Sequence, residues 1–485
     1  MRTKNIVLIL LICFSVFAAG IYKANASDKQ KPNILFIAID DMNDWAGFLG
    51  GHPQAITPNL DKLAEKGVNF TNAHCSGPGC SPSRNALLYG IEPFNSGLYP
   101  FYEHAIHEQL MERYISLPRF FKNNGYQTFG AGKIHHGLKD NKQEWTEYFT
   151  TTPGNKIFKP GLGYQIGDSN KMSFRPTFHP DEEHIDHQVA SYGVDILKQK
   201  HDLPFFLAVG IVKPHLPFDC PVRFFDALPD SIEAPAILEN DLIDIPKEGN
   251  GFRRPGDDRR FKKDNAWEDV RRAYLACISW ADYNIGRVLD ELGKSPYADN
   301  TIVVVWSDHG YHLGEKMNFR KFTLWEEATR VPFIIYDGRN NAGTKGQTCN
   351  QPVSLINIYK TLADVAELKT LDYIDGESLL PLLQNPNELL QPAVTSWGRG
   401  NYAVRSENWR YIRYFDGTEE LYSHEKDPNE WHNLANKPEF VKIKKELSGF
   451  LPKNEASTVE EYVAPWSVEG ADRKKLKEKS ISNKK

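Results

Sequence analysis

The chain has 485 residues, 40% of them hydrophobic and 25% charged, with 58 Lys and Arg set against 63 Asp and Glu for a formal net charge of -5. Those proportions exclude a disordered, collagen-like, coiled-coil or multi-span membrane protein, and the length suffices for two or three domains or one large buried core. The near balance of charge gives no global field for nucleic acid, so an anionic ligand has to be met by local cations.

At the N-terminus, Arg2 and Lys4 precede an apolar run from Ile6 to Ala19 and the small-x-small segment Ala24-Asn25-Ala26. The pattern predicts a signal peptide over residues 1–26 and export to the periplasm or beyond. A spanning helix needs about 20 apolar residues, so no stable membrane association is expected. Cys75, Cys80, Cys220, Cys277 and Cys349 then remain, and an odd number in an exported chain leaves at least one thiol unpaired.

Four continuous apolar runs, Ile34–Ile39, Gln127–Ala131, Phe205–Val212 and Ile302–Trp306, read as strands buried on both faces of a parallel sheet. Each leads into polar residues: Asp40-Asp41, Gly132-Lys133 with His135-His136 beyond, Lys213-Pro214-His215, and Asp308-His309. In open α/β sheets ligands bind beyond the carboxyl ends of strands, so these four clusters are predicted to converge. Apolar residues from Val270 to Leu292 recur at three- and four-residue steps, which predicts a crossover helix over Trp267–Leu292. The stretch from Phe218 to Lys263, rich in Pro, Asp and Gly, reads as a surface excursion that walls a site.

Pro381, Asn385, Pro386, Asn387 and Pro392 mark a boundary. Beyond it, Tyr402–Arg405, Tyr411–Phe415 and Glu420–Tyr422 predict a small antiparallel sheet. The expected division is an α/β domain over 27–385, an α+β subdomain over 386–455 and a tail over 456–485, whose Lys-rich end from Asp472 reads as solvated.

Cys80-Ser81-Pro82-Ser83-Arg84 opens a helix after a Pro-set turn, and a helix N-terminus favours an anion. Asp40, Asp41 and Asp308 offer hard oxygen donors where two strands end, although paired acids after a strand also serve as turns or caps. His184 and His187 stand at helical spacing behind Asp181-Glu182-Glu183, and there the acids are explained by the helix dipole without a metal.

The C-x-P-x-R pattern of Cys80–Arg84 resembles the signature of the sulfatase family, part of the alkaline phosphatase superfamily. The likeness runs from Asn33 to about Ala435 and includes Asp40-Asp41, Gly132-Lys133, Lys213-Pro214-His215, Ser307-Asp308-His309-Gly310 and Lys321. FFLAVGIVKPHLPF over Phe205–Phe218 and DHGYHLGE over Asp308–Glu315 are most similar to the iduronate-2-sulfatase branch. The resemblance implies an α/β fold with a large, mostly parallel sheet sandwiched by helices and a smaller C-terminal antiparallel sheet. It also implies a hydrolase that removes O-sulfate from a sulfated sugar, a polysaccharide or its oligosaccharides.

By the same resemblance, a formylglycine-generating enzyme reads Pro82 and Arg84 and converts Cys80 to formylglycine. One Ca2+ ion is expected on Asp40, Asp41, residue 80, Asp308 and His309, the last a softer ligand than the Asn many sulfatases carry. One hydroxyl of the hydrated aldehyde attacks sulfur, and the other later expels sulfate by re-forming the C=O. Arg84 and Lys133 are assigned to the hydrated aldehyde and its metal-side oxygens, Lys321 with Lys213 or His215 to the sulfate, and His215 to general acid catalysis.

The base is His135 by the spacing of many sulfatases and His136 by that of the iduronate-2-sulfatase branch. The surrounding pattern favours His136, leaving His135 as either a substrate contact or a solvated neighbour; Lys213 is a substrate contact or a solvated strand-end charge, and His104 a substrate contact or a core-packing residue. Trp397, Arg399, Asn401 and Arg405 are further candidates for a substrate carboxylate or second sulfate. Two other readings stay open: a phosphatase or phosphonate hydrolase of the same superfamily, and a sulfated-glycan binding protein whose Cys80 never matures.

Overall fold

The apolar runs become the centre of an eight-stranded sheet in the computed structural model, which describes residues 30–103, 106–136, 141–150, 164–165, 173–339 and 346–482. In chain order its strands are β1 (Asn33–Asp40), β2 (Val68–Phe70), β3 (Gln127–Gly132), β4 (Glu147–Phe149), β5 (Phe205–Pro214), β6 (Thr301–Ser307), β7 (Phe333–Asp337) and β8 (Gln347–Cys349). They lie in the order β8-β2-β7-β6-β1-β5-β3-β4. The run from β6 to β4 is parallel, whereas β7 is antiparallel to both β6 and β2. Ile39 of β1 pairs with Ser307 of β6 and Ile211 of β5, and Gly132 of β3 pairs with Gly210, so the four carboxyl ends come level.

Both faces of the sheet are dry, which is why its strands read as unbroken apolar runs. Leu35, Ile37, Leu207, Val209, Val303 and Val305 belong to one core, which α2 (Ile185–Lys198) and α3 (Trp267–Lys294) help to build. Ile34, Phe36, Ala208, Val304 and Trp306 belong to the other, shared with α1 (Cys80–Tyr89) and α4 (Asn357–Val365). Each such side chain contributes about 1.5–3 kcal/mol by leaving water. The crossover helix read from the sequence is α3, extended by one half turn beyond Leu292.

A separate antiparallel meander of β9 (Ala393–Ser396), β10 (Tyr402–Arg405), β11 (Trp409–Arg413) and β12 (Glu419–Ser423) forms the predicted C-terminal sheet. The irregular excursion is more ordered than its composition suggests, with a strand at Phe218–Pro221 and short helices at Val222–Asp226, Lys247–Phe252 and Pro255–Lys263.

The reading of the Lys-rich end as a solvated tail is corrected. Arg473–Ser482 forms α5, Leu476 is buried, and Asp472 pairs with Arg399 at 2.8 Å. Leu476 is an apolar anchor beneath basic side chains that stay exposed. Residues 1–26 and His104 lie outside the described residues. Among the described residues all five cysteines are free and buried, and no helix is long and apolar enough to cross a membrane.

Candidate active site

The site is assembled where β1, β3, β5 and β6 end. After Asp40 the chain turns at Asp41 with φ 64°, a left-handed conformation that Asp tolerates because its short side chain bonds locally. The Asp41 amide donates to Asp308 Oδ1 at 3.1 Å, tying the end of β1 to that of β6. On the other side Gly132 has φ 75°, and a Cβ there would lie 2.1 Å from the Gly210 carbonyl oxygen. Only glycine permits that approach, which brings the Lys133 amide to the Gly210 carbonyl at 3.0 Å. Helix α1 starts at Cys80 from an extended Gly79, as predicted, and every one of its residues is buried.

Arg84, one turn into α1, joins these ends. Its Nε donates to Asp308 Oδ2 at 2.8 Å, its Nη1 to the Ile134 carbonyl at 2.9 Å, and its Nη2 lies 3.4 Å from Asp40 Oδ1. Lys133 Nζ donates to Asp40 Oδ2. Lys321, just after the short strand Phe319–Arg320, donates both to Asp41 Oδ1 and, at 3.1 Å, to Cys80 Sγ. His309 Nε2 lies 3.3 Å from Cys80 Sγ and 3.2 Å from Asp41 Oδ1. Its Nδ1 faces the Gly310 carbonyl at 2.9 Å, which fixes that nitrogen as the N–H donor and turns Nε2 toward the cluster.

The electrostatics follow from charges packed out of water. Burial opposes a Cys80 thiolate, but Lys133, Lys321 and His309 outweigh it and hold the thiol well below its usual value. Burial pushes Asp40 up to about 7 against the pull of Lys133. For Asp41 the same penalty is overcome by His215 and Lys321, which keep its carboxyl below the usual carboxylate range. Burial disfavours the His309 cation, yet Asp308 and Asp41 push it up to about 10. The centre is thus a knot of carboxylates balanced by Arg84, Lys133 and Lys321, with His309 and His215 beside them.

One ligand atom each from Asp40, Asp41, Cys80 and His309 lies within 4.8 Å of the others, and Asp308 Oδ1 is 3.5 Å from His309 Nε2. Three carboxylates and one correctly oriented imidazole suit a hard divalent ion with some tolerance for nitrogen. A second cluster, Glu326, His424 and Glu430, does not suit one. Arg405 and Arg410 already neutralise its acids, making it an ion-pair network that fastens β10 and β11 to the body.

The neighbouring histidines separate cleanly. His136 lines a cavity of about 440 Å3 together with Asp41, Cys80, His215 and Lys321. It shares that lining with Cys80, and burial lowers its pKa. His135 instead bonds Glu144 at 2.9 Å beneath the surface, which corrects its assignment as a substrate contact. His215 is partly exposed, with Nε2 3.9 Å from Asp41 Oδ2, and although burial opposes it, Asp41 and Asp40 raise its pKa.

Lys213 is also corrected. Its side chain is buried against Asp219 Oδ1 at 2.5 Å and the Pro217 carbonyl, and it does not line the cavity. Trp397 stacks on Phe322, Arg399 pairs with Asp472, Arg405 pairs with Glu326, and Asn401 bonds the Trp397 carbonyl and the Phe415 amide. All four hold structure together instead of facing the cavity.

Sequence reasoning missed four residues of the cavity's walls: Tyr311, Arg320, Phe322 and Trp466. Arg320 and Phe322 flank Lys321, so that adjacency was a usable signal; Trp466, far along a Lys-rich end, gave none. A larger cavity of about 600 Å3, lined by Asp44, Glu315, Glu326, Glu327 and Arg330 among others, contains none of these groups, and its acidic excess repels a sulfate.

Fold and site together describe a hydrolase-type centre at the carboxyl edge of an α/β sheet, with a buried thiol among acids and cations. The family model described as Sulfatase matches residues 32–368, and one described as N-sulphoglucosamine sulphohydrolase, C-terminal, matches residues 314–457. The chain belongs to the sulfatase family. It is 37% identical over 479 residues to a sulfatase of Formosa agariphila, covering 94% of this chain and 93% of that protein. An ulvan-active sulfatase of the same organism is 30% identical, covering 90% and 83%. The iduronate 2-sulfatase of Mus musculus is 27% identical, covering 83% and 91%.

Among solved structures, one in complex with its substrate D-glucosamine-2-N,6-O-disulfate superposes with a TM-score of 0.68 at 22% identity, covering 87% of this chain and 97% of that one. A phosphonate monoester hydrolase of Agrobacterium radiobacter does so equally, at 0.68 and 20% identity over 86% and 94%. The fold alone therefore does not separate sulfate from phosphonate chemistry.

Proposed function

We propose that the matured chain is an exported hydrolase of O-sulfate esters on a sulfated polysaccharide or its oligosaccharides, working through a formylglycine made from Cys80 and one Ca2+ ion. The observation that carries this reading is the position of Cys80 Sγ, 3.3 Å from His309, 3.1 Å from Lys321 and 3.7 Å from Asp41, at the mouth of an open cavity. Sγ marks where an aldehyde-hydrate oxygen would lie. A metal on Asp40, Asp41, residue 80, Asp308 and His309 would supply a Lewis acid that binds sulfate oxygen and acidifies the hydrate hydroxyl.

The chain's own groups divide the remaining work. Lys321 places its charge over residue 80, where the sulfate oxygens gather negative charge during transfer. His215, cationic beside Asp41, holds a proton for the departing alcohol oxygen. His136, kept neutral by burial and lining the cavity with residue 80, accepts the hydroxyl proton when the carbonyl re-forms. Arg84 keeps Asp308 ionised, and Arg84 and Lys133 hold both carboxyl groups in place.

The ulvan-active relative supports a polysaccharide source for the substrate, and the pattern of residues 205–218 and 308–315 supports likeness to iduronate-2-sulfatase. The segment before residue 27 supports export, and the Pro-rich stretch near 385 supports a boundary between catalytic domain and C-terminal subdomain.

The test is co-expression with a formylglycine-generating enzyme, a peptide mass for the Cys80 segment, and sulfate release from defined sulfated di- and oligosaccharides with calcium. Conversion together with sulfate release bears the reading out. Preference for phosphate or phosphonate esters replaces it with the other hydrolase, and binding without conversion or turnover replaces it with a lectin-like role.

A further inference from the structure

The cavity's lining carries Arg320 beside Lys321, and a further arginine packs against the lining residue Phe322, more positive charge than one sulfate requires. Arg320 lines the cavity with Lys321, and its Nε alone is engaged, on Asp257 Oδ2 at 2.6 Å. Arg254, from the start of the helix Pro255–Lys263, lays its guanidinium carbon 5.6 Å from the ring centre of Phe322, a second wall residue. Its backbone amide bonds Asn318 Oδ1 at 2.6 Å. Among the described residues, no carboxylate or carbonyl accepts a hydrogen bond from its side chain.

An arginine held partly out of water without an ion pair is costly, and most such groups find a partner. Here Arg320 and Arg473 repel it, and Glu469, the acid that answers it most, is committed to Arg473 at 3.0 Å. Phe322 supplies only its π face, worth about 0.5–1 kcal/mol at an exposed site. The planar fork of N–H donors is therefore available to a planar or tetrahedral oxyanion from outside the chain.

Trp466 completes the surface. Its indole is 55% exposed despite its size, lies 5.0 Å from Phe101 and 6.1 Å from Phe322 between ring centres, and lines the same cavity. Its segment is clipped to the body on both sides, by the Ala464 amide donating to the Phe101 carbonyl and by the Phe101 amide donating to Ser467 Oγ, each at 2.8 Å. An aromatic platform with the unpaired Arg254 and the only partly engaged Arg320 beside it has the composition of a site for an acidic sugar.

Building on the sulfatase reading, we infer that Arg254 and Arg320 form a second anion subsite, which binds a further acidic group on the sugar chain whose sulfate lies at residue 80. That group is a uronate carboxylate or a second sulfate ester, and the two share the oxyanion chemistry an arginine fork recognises.

The test measures binding, so that it does not depend on turnover. Calorimetry on the C80S chain with calcium compares glucosamine 6-O-sulfate with glucosamine 2-N,6-O-disulfate, and a 2-O-sulfated uronate disaccharide with its methyl ester. The dianionic member of at least one pair is expected to bind about 10- to 100-fold more tightly. In Arg254→Gln that ratio falls toward one, and Arg254→Lys restores part of it.

Loss of the ratio in the disulfate pair alone assigns a sulfate, and in the uronate pair alone a carboxylate. The inference is overturned if C80S shows no preference in either pair, or if Arg254→Gln keeps the preference while circular dichroism shows a native fold. Absence of sulfate release by the matured chain is a separate outcome that sinks the reaction and not the subsite.

Discussion

Arg84 and Asp308 meet at 2.8 Å across 224 positions of sequence, and neither side chain is touched by solvent. The pair locks α1 to the end of β6, while the same guanidinium reaches the Ile39 and Ile134 carbonyls at the ends of β1 and β3. Three strands and the helix bearing Cys80 thus share one rigid reference point, on which the sub-ångström placement of a reacting atom depends.

Removing that reference is expected to be expensive. Arg84→Met leaves Asp308 buried without its arginine and Asp40 with Lys133 alone, and breaking a buried pair costs about 3–5 kcal/mol. Urea denaturation at neutral pH measures the loss. A variant as stable as the parent would mean that the arginine serves recognition of the Cys80 motif alone.

The two adjacent histidines give opposite expectations. His136→Ala removes the proposed base and is expected to lower kcat about 10²- to 10⁴-fold with little loss of stability. His135→Ala strands the buried Glu144 carboxylate and is expected to lower the melting temperature while kcat changes far less. Steady-state kinetics beside thermal denaturation separates them, and the reverse pattern would exchange their roles.

Acid is expected to unfold the protein through its buried neutral histidines. Burial holds His107 and His312 down to about 3 and His74 well below its ordinary value. An unfolded histidine titrates near 6.5, so between that pH and about 3 the unfolded chain binds more protons than the folded one. This contribution to stability is complete above about 6.5 and is lost as pH falls toward 3. His312→Gln, which can keep the bond to Thr323, should flatten the melting temperature across that window.

Calcium removal tests the donor set. Dialysis against a chelator is expected to abolish sulfate release, with recovery on adding Ca2+. An ion present at 100 times its dissociation constant adds about 2.7 kcal/mol to stability, seen as a higher melting temperature. Asp41→Asn should remove both responses, whereas Glu430→Gln, in the acid cluster already paired with Arg410, should keep them.

Much of this was legible in the chain itself. Strands β1, β3, β5 and β6 announce themselves because burial on both faces demands continuous apolar runs, and the residues following each run converge because parallel strands end together. What escaped has a physical reason. Lys213 and His215 stand two positions apart after the same strand, yet Lys213 turns to Asp219 and His215 to Asp41, a choice set by neighbours distant in sequence. Arg399 and Arg405 are chemically fit for a substrate anion, but Asp472 and Glu326 satisfy them first. Arg254 passed unnoticed because an arginine in an irregular stretch is unremarkable until its lack of a partner can be seen.

Trp466 offers the last expectation, since the sequence placed it in a C-terminal tail outside the domains. Its indole is over half exposed, so Trp466→Ala removes little buried area and should leave the melting temperature within a few degrees. The cavity loses one side of its aromatic wall, while Cys80, Lys321 and His215 keep their partners. A contact made equally in ground and transition states lowers affinity without slowing chemistry. The expected result is a KM for a sulfated oligosaccharide raised about 5- to 10-fold with kcat held within twofold. A fall in kcat at constant KM would place the indole in the reaction itself and remove it from the sugar platform.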